Sequence, residues 1–154
     1  MNVYLVRHGE AVSERVDSER PLTSAGRAEV ERMARMAASR NVQVSAIFHS
    51  GILRAKQTAE ILAEQLQFTL ATEQLAGLLP QDDPDIAKAE LEAAENPIML
   101  VGHLPHLHRL IALLVRGEMG SEMMELPPAT LVCMSKEGAK WRISWTLTSS
   151  VTHS

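Results

Sequence analysis

The sequence predicts an α/β fold: a three-layer α/β/α sandwich around a mainly parallel sheet that includes an antiparallel strand, without a large cap domain. Three observations carry the prediction. Short apolar runs alternate with amphipathic helical stripes along the first 115 residues, the order that builds parallel sheets with crossover helices. Two β-rich segments flanking Lys136-Glu137-Gly138 read as a closing hairpin, which adds antiparallel pairing. Only about 30 residues separate Gln67 from Pro97, room for a strand and a helix but not for a lid domain.

Taken in order, Val3-Tyr4-Leu5-Val6 is a short buried strand of β-formers that breaks at Gly9, leaving Arg7 and His8 at its carboxyl end. Residues 11–20 are polar and charged, a surface loop. A helix follows Pro21-Leu22, with Thr23 or Ser24 as its N-cap. Val30, Met33, Ala34 and Ala37 fall at i, i+3, i+4 and i+7, one apolar stripe, and Arg27, Arg32 and Arg35 lie off it on a solvated face. Residues 44–49 form a second strand ended by Ser50-Gly51. The next helix runs over 53–67 with Ala55, Ala59, Leu62 and Leu66 on one face, and Arg54 sits in its first turn. A third strand is expected within 68–75. The turn cluster Pro80-Gln81-Asp82-Asp83-Pro84 precedes a helix to about Glu95, started by Asp83 or Pro84.

Residues 97–103 repeat the opening grammar: an apolar strand, then Gly102 and His103. Leu107, Leu110, Ile111 and Leu114 give the following helix its buried face. Residues 117–128 are a loop rich in Met and Pro. The hairpin strands span 130–135 and 141–147, with Trp141, Ile143 and Trp145 alternating, and the small polar tail from Thr148 reads as frayed.

Composition narrows the function. At 154 residues the chain suits one domain spanning 1–154, large enough for a proper core. A net charge of −4 argues against a nucleic-acid partner, which needs a basic surface. It leaves room for a local basic pocket, because 11 of the 15 basic residues are Arg, the better group for planar phosphate recognition. Cys133 is the single cysteine, so neither an intramolecular disulfide nor a cysteine-rich metal site is expected. No apolar run approaches the roughly 20 residues of a membrane span, no membrane partner is expected, and with no amino-terminal targeting signal the chain reads as cytoplasmic.

Three strand or helix ends carry the chemistry: Arg7 with His8, Arg54, and His103. If their strands are neighbours, two guanidiniums and two imidazoles converge on one crevice. Unpaired like charges repel, so an anion must compensate them. A phosphoryl group fits: arginines bind its oxygens bidentately, and an imidazole can attack phosphorus.

At these residues the sequence resembles the histidine phosphatase superfamily (phosphoglycerate mutase-like). The resemblance rests on Arg7-His8-Gly9-Glu10, Leu22-Thr23-x-x-Gly26, Ser50-x-x-x-Arg54-Ala55-x-Gln57-Thr58-Ala59 and Val101-Gly102-His103. Arg7-His8-Gly9-Glu10-Ala11, Arg20-Pro21-Leu22-Thr23 and Gly102-His103-x-Pro105-His106 are most similar to the SixA branch, phosphohistidine phosphatases that act on signalling proteins. The resemblance implies that His8 carries the phosphoryl group covalently while Arg7, Arg54 and His103 clamp its oxygens, with no metal or other cofactor. The implied partner is a histidine-phosphorylated protein domain; the alternatives are a small phosphorylated metabolite for a phosphomonoesterase on the same scaffold, and a non-catalytic module that binds phosphorylated ligands. Arg20, Ser50 and His106 are candidate phosphate- or substrate-binding residues, Arg20 and His106 at the pocket rim. Ser50 is read first as shaping the strand end.

Two departures from the family pattern stand out. Gly51 replaces the usual proline after Ser50, an exchange expected to be neutral because both suit a turn. The general acid of the larger enzymes has no clear counterpart, and Asp82, Asp83 and Glu73 are the candidates. A phosphoramidate needs an acid less than a sugar phosphate does, because protonated imidazole leaves more easily than an alkoxide.

Some residues tempt toward other readings. His103, His106 and His108 lie close together but lack acidic or cysteine partners at ligand spacing. His108 and the run Glu90, Glu92 and Glu95 are assigned to the surface, His49 to strand-end packing, and Cys133 to the interior. Met119, Met123 and Met124 are read as core filler, with an adaptable docking patch as the alternative.

Overall fold

The computed structural model describes residues 1–118 and 124–149, together with the backbone of 152–153. Its elements are β1 (Asn2–Arg7), α1 (Ser24–Ser39), β2 (Ala46–His49), α2 (Leu53–Gln65), β3 (Glu73–Gln74), α3 (Pro84–Ala93), β4 (Ile98–Gly102), α4 (His106–Arg116), β5 (Leu131–Glu137), β6 (Lys140–Leu147) and β7 (Thr152–His153). One sheet runs β3-β2-β4-β1-β5-β6-β7. The pairs β3–β2, β2–β4 and β4–β1 are parallel, and β5, β6 and β7 continue the sheet antiparallel. This is the α/β architecture expected, and the segment between α2 and β4 holds only β3 and α3, which adds no large cap.

The consecutive apolar residues of β1 and β4 are explained by cover on both faces. Val3, Leu5, Ile98 and Leu100 pack with Leu91 of α3 and with Leu107, Leu110 and Ile111 of α4. Tyr4, Val6, Met99 and Val101 pack on the other side with Val30, Met33 and Ala37 of α1 and Ala55, Ala59 and Leu62 of α2. The central strands are therefore held from two layers, which fixes their carboxyl ends as a rigid platform.

Helix starts follow the expected chemistry. The Thr23 hydroxyl accepts from the Gly26 N–H at 2.8 Å and donates to Glu10 Oε1 at 2.8 Å, tying α1 to the turn after β1. Gly26 is required there: a Cβ at this position would stand 2.2 Å from the Glu10 carbonyl oxygen. Asp83 caps α3 by accepting from the Asp85 N–H at 3.0 Å, with Pro84 in the first turn.

The sequence reading needs correction in three places and an addition in a fourth. The third strand shrinks to Glu73–Gln74, because no residue of 68–75 is buried and most of them are exposed. Trp141, Ile143 and Trp145 do not share a face. Met134 pairs with Ile143 and Cys133 with Trp145, so Ser144 is bulged out. The bulge sends Trp145 to the α1/α2 side, while Trp141 and Ile143 stay on the α3/α4 side. The tail is not wholly frayed, since Thr152–His153 pair with the end of β6. Finally, Glu92 is exposed as expected but has contacts the surface assignment missed: it ion-pairs with Lys136 and accepts from Trp141 Nε1, fastening α3 to the hairpin. Of the methionine cluster, Met124 is half-buried against the core, and Met119 and Met123 lie outside the described residues.

Candidate active site

Strand order makes the site. β4 lies between β1 and β2, with Arg7 level with Gly102 and His49 level with Val101. The chain leaves these three parallel strands at the same edge, which brings His8, Ser50 and His103 together there, with Arg54 entering from the first turn of α2. Such carboxyl edges are where open α/β sheets gather ligands.

His8 is 9% exposed. Its Nδ1 lies 2.7 Å from the carbonyl oxygen of Gly9. A carbonyl can only accept, so Nδ1 carries the proton and the Nε2 lone pair is free for chemistry. The His8 backbone is pinned on both sides, its N–H donating to the Gly102 carbonyl and its own carbonyl accepting from Ala129. The His103 ring lies 5.0 Å away, centroid to centroid. His103 is 1% exposed, and its Nε2 meets Ser50 Oγ at 2.6 Å.

Both imidazoles are held neutral. Burial, followed by the charges of Arg54, Arg7 and Arg20, pushes His8 down to about 4 against the opposing effect of the Gly9 bond. Burial again leads for His103, with His8, Arg54, His106 and Arg7 adding, and its pKa falls to about 3.

The guanidiniums are positioned by backbone groups. Arg7 Nη1 donates to the Leu126 carbonyl at 2.7 Å, and the Arg7 N–H to the Thr130 carbonyl at 3.0 Å. Arg54 is placed by α2, whose first turn is tied to the His8–Gly9 turn through Thr58. The Thr58 hydroxyl donates to the Arg54 carbonyl at 2.8 Å and accepts from the Gly9 N–H at 3.1 Å. Burial lowers the pKa of both arginines, with the charge of Arg20 adding at Arg54. Among the described residues neither guanidinium is ion-paired, and Nε of each is buried without a hydrogen-bond partner. A protein of net charge −4 thus concentrates unpaired positive charge at one spot, a ready oxyanion receptor.

The remaining candidates separate. Arg20 anchors its Nε on the Val12 carbonyl at 3.0 Å, and its charge is felt at both His8 and Arg54. Ser50 is buried and bonded to His103, so it does more than shape the strand end. His106 is not a rim residue: it is 0% exposed, and burial leads the lowering of its pKa. None of the acid candidates is hydrogen-bonded to His8, Arg54 or His103. Asp82 accepts from the Leu79 N–H, Asp83 caps α3, and Glu73 sits exposed on the edge strand opposite Phe48. His49 is buried as expected, and its Nδ1 accepts from the Gly51 N–H at 3.0 Å. Gly51 itself has φ +91, which proline cannot adopt, so the exchange at this position is not neutral in this turn.

Three contributors were given no role in the sequence reading, although Gln57 and Thr58 stand in the motif around Arg54. Thr58 carried a signal, lying one helical turn after Arg54. Gln57, whose Oε1 accepts the Leu22 N–H at 2.8 Å, carried the same kind of signal in the same run. The Leu126 carbonyl carried none, because a backbone acceptor has no residue signature.

The model of the histidine phosphatase superfamily (branch 1) matches residues 3–79. The chain belongs to that superfamily. It is 34% identical over 123 residues to the phosphohistidine phosphatase SixA of Escherichia coli strain K12, covering 77% of this chain and 76% of that protein. It superposes on the structure of the protein histidine phosphatase SixA complexed with tungstate with a TM-score of 0.85 at 28% identity, over 97% of each chain. A mycobacterial glucosyl-3-phosphoglycerate phosphatase shares the fold at 20% identity, with a TM-score of 0.68 over 93% of this chain and 96% of that one. The chain is thus a histidine-dependent phosphatase of the SixA type. Among the described residues no helix is long and apolar enough to cross a membrane.

Proposed function

We propose that this phosphatase hydrolyses phosphohistidine on a protein, with His8 as the covalent carrier. The observation that carries the reading is the Gly9-bound, neutral His8, its Nε2 unprotonated, under the charges of guanidiniums that have no anionic partner among the described residues. In the first step Nε2 attacks phosphorus, forming a P–N bond as the bond to the leaving imidazole breaks. The substrate's ring, protonated from solvent at its other nitrogen, departs as neutral imidazole, and the phosphoryl negative charge is met by Arg7 and Arg54. In the second step water attacks the phosphorus of phospho-His8, releasing inorganic phosphate and restoring the imidazole. The similar SixA structure holds tungstate, a tetrahedral oxyanion like phosphate.

The choice of a phosphoramidate on a protein rests on two features. Among the described residues no carboxylic acid is hydrogen-bonded to His8, Arg54 or His103, which suits a leaving group that departs more easily than an alkoxide. Nor does a large cap enclose it, so a small ester gains few contacts beyond its phosphoryl group, whereas a folded domain adds contacts outside the pocket.

A side-by-side panel tests the reading. Expected is a kcat/KM for a phosphohistidine domain at least about tenfold above that for free phosphohistidine or sugar phosphates, roughly 1.4 kcal/mol in the barrier. A sugar or nucleoside phosphate turned over far better would overturn it in favour of a small-molecule phosphomonoesterase. Rapid quenching with labelled substrate should trap an acid-labile, base-stable adduct on the wild type and none on His8→Ala. Turnover by His8→Ala would remove His8 from the covalent role.

A further inference from the structure

Ser50 Oγ has two neighbours that define its bonding. The Ile52 N–H donates to it at 3.2 Å, and His103 Nε2 lies 2.6 Å away. The hydroxyl owns one proton and must give it to an acceptor. Both neighbours cannot be donors without leaving that proton buried and unused, since Ser50 is 4% exposed. An amide N–H cannot accept, so the serine proton goes to His103 Nε2. The remaining ring proton of neutral His103 then sits on Nδ1. That atom is buried and has no hydrogen-bond partner among the described residues.

We propose that Ser50 is a positioning residue that locks His103 in the Nδ1–H tautomer, so that His103 meets the phosphoryl group as a neutral hydrogen-bond donor through Nδ1. The assignment rests on the reading of this crevice as the phosphoryl-transfer site. Its chemical sense lies in the geometry: a neutral donor 5.0 Å from His8, ring to ring, stabilises charge that develops on the phosphoryl oxygens. With the opposite tautomer, Nδ1 would present a lone pair to that anion and repel it. Ser50 also stands at the end of β2 while His103 ends β4, so one hydrogen bond joins the two strand ends that supply Arg54 and His103.

The test reads the tautomer directly. Long-range ¹H–¹⁵N correlation spectra of the ¹⁵N-labelled full chain near pH 7 distinguish a protonated ring nitrogen from a bare one. The wild type should show His103 with the proton on Nδ1. Ser50→Ala should shift His103 toward Nε2–H or a mixture and lower kcat at least about tenfold with a smaller change in KM. Ser50→Thr, which keeps the hydroxyl, should restore both the tautomer and most of the rate. A wild-type His103 protonated on Nε2 overturns the proposal without any variant being needed. So does a Ser50→Ala protein that loses activity with its His103 tautomer unchanged. A wild type showing the Nδ1–H form but no phosphatase turnover would fail the proposed function instead, and leave the tautomer lock standing.

Discussion

The imidazoles of His8 and His103 face each other at 5.0 Å, inclined by 54°, at the ends of two strands that are not neighbours in sequence. Two histidines at that distance can both be charged only at a large cost, and burial with nearby guanidiniums removes the option. A neutral ring has one protonated and one bare nitrogen, so what the pair can do depends on proton positions as much as on atom positions.

The first prediction concerns pH. Titrated by NMR, His8 should change protonation near pH 4 instead of near the ordinary 6.5. Because the folded pKa values of His8 and His103 lie below those of the unfolded chain, the unfolded state binds more protons between about 4 and 6.5. Stability therefore falls as pH drops through that window, by at most about 1.4 kcal/mol per unit for each residue. A His8 midpoint at 6.5, or a denaturation midpoint insensitive to acid above pH 4, would contradict the burial and charge argument.

Arg54→Lys keeps the charge but loses the planar fork. Expected is a loss of two or more orders of magnitude in kcat/KM, falling mainly on kcat if the contact strengthens in the transition state. Steady-state kinetics decide the matter. A change confined to KM would reduce Arg54 to ordinary substrate binding.

Gly51 tests the turn between β2 and α2. Its φ of +91 is accessible to glycine and not to proline, and its N–H bonds His49. Gly51→Ala should cost about 1–2 kcal/mol from backbone strain, with some further cost where the new Cβ meets the Gln74 side chain. Gly51→Pro should cost more, about 3 kcal/mol or above, because it also deletes the donor. Urea denaturation measures both, and a Gly51→Pro protein as stable as the wild type would show that the turn can rearrange freely.

Arg20 tests the reach of a surface charge. Its guanidinium influences both His8 and Arg54, although it is anchored on the loop at Val12. Arg20→Ala should therefore raise KM several-fold even for a minimal phosphoramidate, with an effect that shrinks at high salt. Unchanged phosphoramidate kinetics alongside weaker turnover of a protein substrate would confine Arg20 to docking.

Much of this site was legible because it is written in local patterns. The runs at Val3 and Ile98 are apolar at every position, as strands covered on both faces must be. The polar residues that follow them could only be strand-end groups. What stayed hidden depended on partners distant in sequence. The fate of Ser50 turned on His103, and the neutrality expected of Gly51 failed because a turn's φ is not encoded by composition. Trp145 changed sides because one bulged residue, Ser144, reversed the alternation of its strand.

By itself, then, the sequence determined the longer elements, the two-sided burial of the central strands, and the residue types at their ends, since these follow from periodicity and side-chain chemistry within short stretches. Tertiary structure decided which ends meet. Placing β4 between β1 and β2 is a matter of sheet pairing across nearly a hundred residues, and it alone brings His8, Arg54 and His103 to one point. The same packing supplies the Leu126 carbonyl to Arg7 and the Ser50 hydroxyl to His103. It also removes water from both imidazoles, and that desolvation, which no local pattern carries, is what sets their charge.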